Sequence, residues 1–477
     1  MEELLEFCIN LALDLGSEYA EARFQSDTGE SMILKNGVPE ASLFKEAKGI
    51  SLRVLYKGSM GFASTNKTTK RDAASAVKRA CKLAKAASRV LKKEVSMGEG
   101  ELGSDKVVVK PRVKFDYVDL GSKIELMKEA DERAVEAAKE AGAELPARMF
   151  TMGTLTTEKA VLTSDGADVT SVVPRAAFSA FLTAHDTQRG TVQRSFNLGE
   201  SAGWEAVERW NLPELMCEES YSLAKTLKEA VSPSKGAMDI VLGPEVVGLV
   251  SHESSGHPGE ADRILGREAA QAGETYLKMD SLGMRVGSDV LNVADDPTID
   301  HSFGFYMYDD EGVKARKRIL IKEGRINEFL QNRESASVFG VQSNGSSRAS
   351  AYNREPIVRM ANTFLEPGNF SKEELIEGVK DGVYIKNFME WNIDDRRFNQ
   401  RYVGLEAYRI ENGELKERVR NPVLEMTTVG LWSAIDAVGK DLEFQAAYCG
   451  KSDPMQALPV WTGGPHARLR GVRLGGA

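Results

Sequence analysis

Residues 234–265 read SKGAMDIVLGPEVVGLVSHESSGHPGEADRIL, and this stretch decides how the second half of the chain is built. The apolar run MDIVL predicts a buried strand. Gly243 and Pro244 then predict a helix start, because proline suits the first helical turn, and apolar residues up to Val250 continue that helix. The polar segment SHESSGHPGE, residues 251–260, is therefore expected at the end of a helix that is anchored in a core.

That segment contains His252, Glu253 and His257 in the pattern His-Glu-x-x-x-His, one residue longer than the zinc-protease motif His-Glu-x-x-His. In a regular helix, residues four apart are separated by about 40° and residues five apart by about 140°. Two histidines five apart therefore share one ion only where the helix is irregular. Gly256 permits unusual backbone angles, and Pro258 disfavours helical angles at the residue before it. We predict that the helix opens around Gly256, so that the histidines converge.

Two histidines do not complete a catalytic zinc site, which usually takes three protein ligands and a water molecule. Glu260 and Asp262 are candidates close in sequence. Cys449 is a distant candidate in YCGKSDPMQALPVWTGGP, residues 448–465, where glycine and proline predict a loop that presents the thiol. Spacing alone does not choose among these three, and it also allows two histidines with ordinary polar roles.

The remainder of the chain predicts an α+β fold. Helical periodicity at the N-terminus, after residue 67 and after residue 119 alternates with short runs of strand-like alternation that are separated by turn residues. We therefore expect an N-terminal domain over 1–232, made of helices with antiparallel strands and with a subdomain break near 92–116. A β-rich C-terminal domain that carries the metal-binding helix is expected over 233–477.

Bulk composition excludes several classes of function. The formal net charge of −9 argues against direct nucleic-acid binding, which needs a positive surface. There is no apolar run of membrane-spanning length, and the acidic N-terminus is unlike a signal peptide, so we expect a cytoplasmic protein. The four cysteines lie far apart in the sequence and are expected to be reduced thiols.

The motifs together resemble the TldD/PmbA family. The resemblance spans nearly the whole chain and rests on LVSHESSGHPGEAD (249–262), DDEGVKARKRILIKEGRINEFL (309–330), NGSSRAS (344–350), RMANTFLEPGNFSKEELI (359–376) and the C-terminal CGKSDPMQALPVWTGGP. Ser254, Ser255 and Pro258 depart from the residues that the family more often shows there, and so does the KSDPMQ segment.

The resemblance implies a zinc-dependent peptidase of the active TldD type. His252, His257 and Cys449 would hold Zn²⁺, and Glu253 would be the base that activates a zinc-bound water. Family members act on flexible peptides inside a closed cavity, as dimers that are often formed with a TldE-like chain. We therefore expect a peptide substrate and either a homodimer or such a heterodimer. The alternatives are a regulatory binding protein with a structural metal and an amidohydrolase that acts on small molecules.

Peptide hydrolysis also requires a group that stabilises the oxyanion. The sequence offers four candidates for this role or for substrate binding: Arg348, Tyr352, Arg359 and His466. The acidic run Asp309–Glu311 is interpreted as a solvated or capping turn rather than a second metal site. The glycine-containing segment 344–350 predicts either a cradle for a substrate backbone or a plain surface loop.

Overall fold

The computed structural model of the chain describes residues 1–234, 236–268, 270, 273–451 and 455–476. The first half is composed of the following elements: α1 (Glu2–Asp14), β1 (Tyr19–Lys35), β2 (Val38–Tyr56), β3 (Ser59–Thr65), α2 (Lys70–Ala87), β4 (Ser104–Val108), a 3₁₀ turn (Phe115–Tyr117), α3 (Leu120–Glu140), β5 (Glu144–Thr163), β6 (Asp168–Asp186), β7 (Gly190–Glu200), α4 (Glu205–Trp210) and α5 (Leu212–Glu229).

The strands of the first half form one seven-stranded sheet in the order β3-β2-β1-β5-β6-β4, with β7 also paired to β6. Every pairing is antiparallel except β4 with β6. The long β1–β2 hairpin turns at Asn36 and Gly37, which both have positive φ, as a tight two-residue turn requires. Apolar faces of α1 and α2 cover one part of the sheet, and those of α3 and α5 cover another.

The second half is composed of β8 (Gly236–Leu242), α6 (Pro244–Ser251), a π-helical turn (His252–Gly256), α7 (Ala261–Ile264), β9 (Val293–Asp295), β10 (Arg318–Lys322), β11 (Arg325–Ile326), α8 (Arg333–Phe339), β12 (Ser347–Arg348), β13 (Ile357–Val358), β14 (Asn362–Leu365), α9 (Lys372–Glu377), β15 (Asp381–Ile385), β16 (Phe388–Ile393), β17 (Asn399–Gly404), β18 (Ala407–Glu411), β19 (Glu414–Arg418), β20 (Pro422–Thr427), α10 (Thr428–Ala434), β21 (Ile435–Val438), β22 (Glu443–Lys451), β23 (Gln456–Gly464) and β24 (Ala467–Gly476).

Two larger sheets and one strand pair organise these elements. A nine-stranded sheet runs β16-β17-β20-β24-β8-β15-β18-β19, with β21 paired to β24, and a six-stranded sheet runs β11-β10-β9-β14-β23-β22. Strands β12 and β13 form the separate pair. Helix α6 packs against β14, β22 and β23, and its valines join a buried cluster that includes Ile240 and Leu242 of β8 together with Val293 of β9. The helix is therefore held in the core between the two large sheets.

The α+β fold class predicted from the sequence is confirmed, with several local differences. The segment 92–116 contains β4, and α3 is capped by the Asp119 carboxylate, which accepts the Ser122 N–H at 3.0 Å. Helices α4 and α5 are separated at Asn211, whose φ of 44° lies in the left-handed region. All four cysteines are free thiols, as expected. No helix in the described part of the chain is long and apolar enough to cross a membrane.

Candidate metal centre

The helix that carries the histidine motif becomes irregular where the sequence predicts. Helix α6 ends at Ser251, and the next five residues form a π-helical turn in which the His257 N–H donates to the His252 carbonyl at 3.1 Å. A π turn spans one more residue than an α turn, so it brings residues five apart onto one face. The two imidazole rings consequently meet edge to face, with their centroids 4.9 Å apart.

Cys449 reaches the same place from the six-stranded sheet. It lies on β22 opposite Leu458 of β23, so the expected loop around Cys449 is wrong: the thiol projects from a paired strand. Residues 452–454 of the predicted loop are outside the described residues. The alternating segment EFQAAYCGK favours the strand, and the glycine- and proline-containing segment QALPVWTGG pairs with it along its whole length. The Cys449 Sγ lies 3.4 Å from the His257 Nε2.

The donor atoms of His252, His257 and Cys449 fit a zinc ion. One ligand atom from each residue lies within 4.8 Å of the others, and all three side chains are buried. A tetrahedral zinc at the usual bond lengths holds nitrogen and sulfur donors about 3.3–3.6 Å apart, so the three atoms lie within roughly 1.5 Å of the spacing in a bound site. The Nδ1 of His252 is buried without a hydrogen-bond partner among the described residues, and a bound ligand would supply the missing interaction.

The protonation states of the three side chains also suit a metal. Burial lowers the pKa of His252 and of His257 and outweighs the neighbouring acidic groups, so both imidazoles favour the neutral form that binds metals. Burial raises the pKa of the Cys449 thiol, but His257 and Arg359 outweigh that effect, and the pKa ends below its ordinary value. Arg359 favours the thiolate, which is the form that coordinates zinc, whereas His257 lowers the pKa of the Cys449 thiol only in its protonated form.

Glu260 contacts the other ring nitrogen of His257. The His257 Nδ1 donates to the Glu260 carboxylate at 3.1 Å, which leaves the Nε2 facing Cys449. Glu260 is completely buried, and Lys451 and Arg263 lie 3.5 and 3.3 Å from its carboxylate. Burial raises the pKa of Glu260, but Lys451 and His257 outweigh it and bring the pKa well below its ordinary value. Glu260 is thus an ionised partner that orients a candidate ligand.

Asp262, the other acidic candidate, pairs with Lys451 at 2.7 Å. It is not one of the three residues whose donor atoms converge.

Glu253 lies beside the converging side chains in a cavity of about 320 Å³ that also exposes His252, His257 and Cys449. Its carboxylate accepts a hydrogen bond of 2.6 Å from the Nη1 of Arg397. Arg397 belongs to the turn between β16 and β17, 144 residues beyond Glu253. The sequence contains no spacing signal that could connect these two residues, and Arg397 is not among the site residues predicted from it.

A larger cavity of about 570 Å³ adjoins this one. Strands β1, β5, β6 and β7 of the N-terminal sheet line it from one side, and residues of the second half line it from the other. The two cavities share four lining residues: Asn197, Ala446, Ala447 and Tyr448. Three of them belong to β22, which places the strand that carries Cys449 between the candidate metal centre and the larger chamber.

The four candidates for oxyanion stabilisation or substrate binding are dispersed. Arg348 lines the larger cavity, and its guanidinium donates to the carbonyls of Met360 and Pro459. The ring of Tyr352 packs directly on Gly49 of β2, so closely that a Cβ atom at this position would lie 2.3 Å from the ring. Neither residue lines the cavity that holds Glu253.

Arg359 and His466 also lie outside that cavity. Arg359 is fully buried and donates to the carbonyl of Cys449, so it braces the strand that carries the thiol. His466 lies between Asp441 and the Tyr384 hydroxyl, which is 3.0 Å from its Nε2.

The acidic run and the glycine-containing segment are both buried. Asp309 accepts the N–H groups of Glu311 and Val313, as expected of a capping turn, while Asp310 pairs with Lys159 at 2.8 Å. The sequence-based interpretation of this run as a solvated turn is wrong, because the carboxylates are buried and paired with cations and N–H groups. Residues 344–349 are likewise buried, so the surface-loop alternative for 344–350 is wrong for all but the last of them.

Family profiles cover most of the chain. The profile of the PmbA/TldA metallopeptidase C-terminal domain matches residues 235–476, that of domain 1 matches 20–84, and that of the central domain matches 114–231. A metalloprotease from Methanothermobacter thermautotrophicus is 32% identical over 96% of each chain. A zinc metalloprotease TldD homolog from Saccharolobus solfataricus is 34% identical over 51% of this chain and 53% of its own.

Solved structures share the fold at lower identity. TldE from Thermococcus kodakarensis superimposes with a TM-score of 0.77 at 17% identity, over 99% of this chain and 100% of its own. A putative modulator of a DNA gyrase from Thermotoga maritima has the same TM-score at 20% identity and the same coverage. At these identities, the two similarities show that the overall fold is shared and nothing more.

Proposed function

Because the chain belongs to the PmbA/TldD metallopeptidase family, we propose that it is a zinc-dependent peptidase that hydrolyses flexible peptides. The observation that carries the proposal is the convergence of His252, His257 and Cys449 in one cavity with Glu253. Two imidazoles and a thiolate supply the three protein ligands that a catalytic zinc takes, and the glutamate stands directly after the first histidine, as the base does in zinc peptidases.

Bound Zn²⁺ supplies a Lewis acid that polarises the peptide carbonyl and acidifies water. The chain supplies the proton transfers. Glu253 takes a proton from the attacking water and delivers it to the amine that leaves when the C–N bond breaks. Glu260 holds the His257 ring from its Nδ1, and Arg359 holds the Cys449 backbone, so the ligand side chains keep their orientation during the reaction.

A flexible peptide is the substrate class that the cavities favour. The candidate metal centre opens into a cavity of about 320 Å³ that adjoins the chamber of about 570 Å³. These volumes suit a segment of extended chain, because a folded domain is far larger than either cavity. We propose that the protein acts as a dimer, formed with a second copy or with a TldE-like chain. Light scattering of the purified protein, alone and mixed with such a chain, measures which assembly forms.

The test of the function pairs zinc content with peptide hydrolysis. We expect the purified wild-type protein to hold one zinc and to cleave an unstructured fluorogenic peptide. Glu253→Gln should keep the zinc and lose hydrolysis by about 10²–10⁴-fold, the usual contribution of a general base. Glu390→Gln is the matched control, since Glu390 is an exposed glutamate on β16.

Two results would contradict the proposal. One is a zinc-loaded wild-type protein that cleaves no peptide, as a regulatory protein with a structural metal would. The other is a Glu253→Gln variant that turns over as fast as the wild type.

A further inference from the structure

Arg397 is held rigidly at the end of the β16–β17 hairpin. Its φ of 61° lies in the left-handed region, which is uncommon for a residue other than glycine and requires support from its surroundings. Its N–H donates to the Asp394 carbonyl at 2.9 Å, and its own carbonyl accepts the Thr428 hydroxyl at 2.8 Å. The ring of the next residue, Phe398, packs on Tyr276 at 5.7 Å between centroids. The turn is thus built to place this one side chain.

The guanidinium of Arg397 has donors to spare. Its Nη1 binds Glu253, while its Nε is buried without a hydrogen-bond partner among the residues that the structure describes. Of the described residues that line the cavity of the candidate metal centre, Arg397 is the only arginine or lysine. Buried Nε atoms without a partner also occur in Arg53 and Arg318, so what sets Arg397 apart is its place on the cavity wall beside Glu253.

A structural ion pair alone explains these features poorly. On the same hairpin, Arg401 pairs with Glu390 at 3.1 Å, but this pair is exposed and neither residue lines the cavity. Arg397 instead reaches inward, and its contact is the residue proposed as the base.

We propose that Arg397 binds the oxygen of the scissile peptide carbonyl and holds Glu253 beside the attacking water, a role that rests on the peptidase function proposed above. As the oxygen of the water bonds to the carbonyl carbon, the C=O π electrons move onto the carbonyl oxygen, and one proton of the water goes to Glu253. The guanidinium N–H groups stabilise that negative oxygen. The C=O bond then re-forms, the C–N bond breaks, and the amine takes the proton from Glu253.

The experiment compares Arg397→Ala and Arg397→Lys with Arg396→Ala, the adjacent exposed arginine that does not line the cavity. Removal of one oxyanion donor usually lowers kcat by about 10²–10³-fold, and we expect that loss in Arg397→Ala, with KM changed far less. Zinc content should match the wild type, and Arg397→Ala should still fold cooperatively with a lower Tm, because the buried Glu253 loses its partner. Arg397→Lys should keep part of the activity. Guanidinium ion added at millimolar concentration should restore turnover to Arg397→Ala and leave Glu253→Gln inactive.

Three outcomes overturn the inference. An Arg397→Ala variant with wild-type kcat shows that the carbonyl oxygen does not need Arg397. A loss of activity that comes with loss of zinc or of folding, and that guanidinium does not restore, assigns Arg397 a structural role. In both cases the peptidase function stands, because the wild type still cleaves the peptide. A wild type that cleaves none overturns the proposed function and this inference with it.

Discussion

His257 is held through both of its ring nitrogens. Its Nδ1 donates to Glu260, and its Nε2 faces Cys449 at 3.4 Å. This arrangement fixes the ring orientation and the tautomer before any metal binds. Sequence spacing places Glu260 among the candidate ligands, whereas the structure places it behind the ring, where such partners orient a ligand and raise its basicity.

Replacing Glu260 should therefore weaken zinc binding. We expect Glu260→Gln to lower the affinity for zinc by about 10-fold or more, since outer partners of ligating histidines typically contribute 10–100-fold. Competition with a chromophoric chelator measures this affinity.

Glu268→Gln is the matched control. Glu268 belongs to the same charged cluster and pairs with Arg263 at 2.9 Å, but its carboxylate is not bonded to His257. Equal zinc affinities of the two variants would show that Glu260 contributes only to the cluster.

For single residues, the sequence indicates which types of side chain could form the site, but it does not indicate where those side chains point. The pair His252 and His257 with Glu253 is apparent from local spacing, because one helical segment carries all three. Local spacing does not reveal Arg397, since only the packing of the β16–β17 turn against the π-helical turn brings it to Glu253. A charged residue far along the chain carries no sign of the cavity that it will face.

The π-helical turn is the element that brings the two histidines of the long motif onto the same face. An inserted residue in a regular helix would turn the second histidine away from the first, and the i→i+5 hydrogen bond restores the shared face. The predicted irregularity around Gly256 is confirmed. The sequence could anticipate it because glycine and proline act locally on the backbone.

Gly256 is required at its position by close packing. A side-chain carbon there would come within 1.9 Å of the Met360 Sδ and 3.2 Å of the Thr363 hydroxyl. We expect Gly256→Ala to lower the free energy of unfolding by about 1–3 kcal/mol through overpacking, and to lower zinc content because the turn shifts. Denaturant unfolding and metal analysis measure the two effects.

Gly475→Ala is the control for that substitution, since a carbon at Gly475 meets nothing closer than 3.8 Å. Wild-type stability and zinc content in Gly256→Ala would contradict the packing explanation.

The strand that carries Cys449 shows where sequence reasoning fails at the scale of elements. Glycines and prolines over 448–465 predict a loop, yet Pro459 lies within β23, opposite Tyr448. Proline is tolerated in a strand when its missing N–H is not needed by a neighbour. The pairing of β22 with β23 therefore outweighs the preference of glycine and proline for loops, and this pairing is determined only by the tertiary structure.

At the scale of the whole molecule, buried ion pairs join the two halves. Arg53 of β2 contacts Glu21 at 2.6 Å and also binds Glu311 from the second half, and all three side chains are almost fully buried. Lys159 of β5 similarly pairs with Asp310. The acidic run that the sequence marks as unusual thus secures the N-terminal sheet against the wall of the large cavity.

Removing the shared cation should destabilise the protein strongly. Arg53→Met leaves Glu21 and Glu311 buried without their common partner, and we expect the free energy of unfolding to fall by about 3–5 kcal/mol. Urea unfolding measures the change. Lys48→Met, which breaks an exposed ion pair on the same strand, should change it by less than about 1 kcal/mol. Similar effects of the two substitutions would contradict the importance of the buried pairs.

Zinc should also stabilise the whole chain, because the proposed ligands lie 192 residues apart in sequence. A ligand that binds only the folded state at about 1,000 times its Kd adds about 4 kcal/mol, so Tm should rise with zinc and fall after chelation. Differential scanning calorimetry measures this. His252→Ala should abolish the zinc dependence and His185→Ala, a half-buried histidine on β6, should keep it. A Tm that is indifferent to zinc in the wild type would count against a specific site.

X-ray absorption at the zinc edge measures whether two histidines and one cysteine hold a catalytic zinc in this protein. For the zinc-loaded protein we predict one sulfur at about 2.3 Å and light-atom scatterers that include two imidazole nitrogens at about 2.0–2.1 Å, with a coordination position left for water. The sulfur contribution should vanish in Cys449→Ser and persist in Cys217→Ser. A zinc spectrum without sulfur would exclude Cys449 as a ligand, and one that shows four protein ligands would exclude a catalytic zinc.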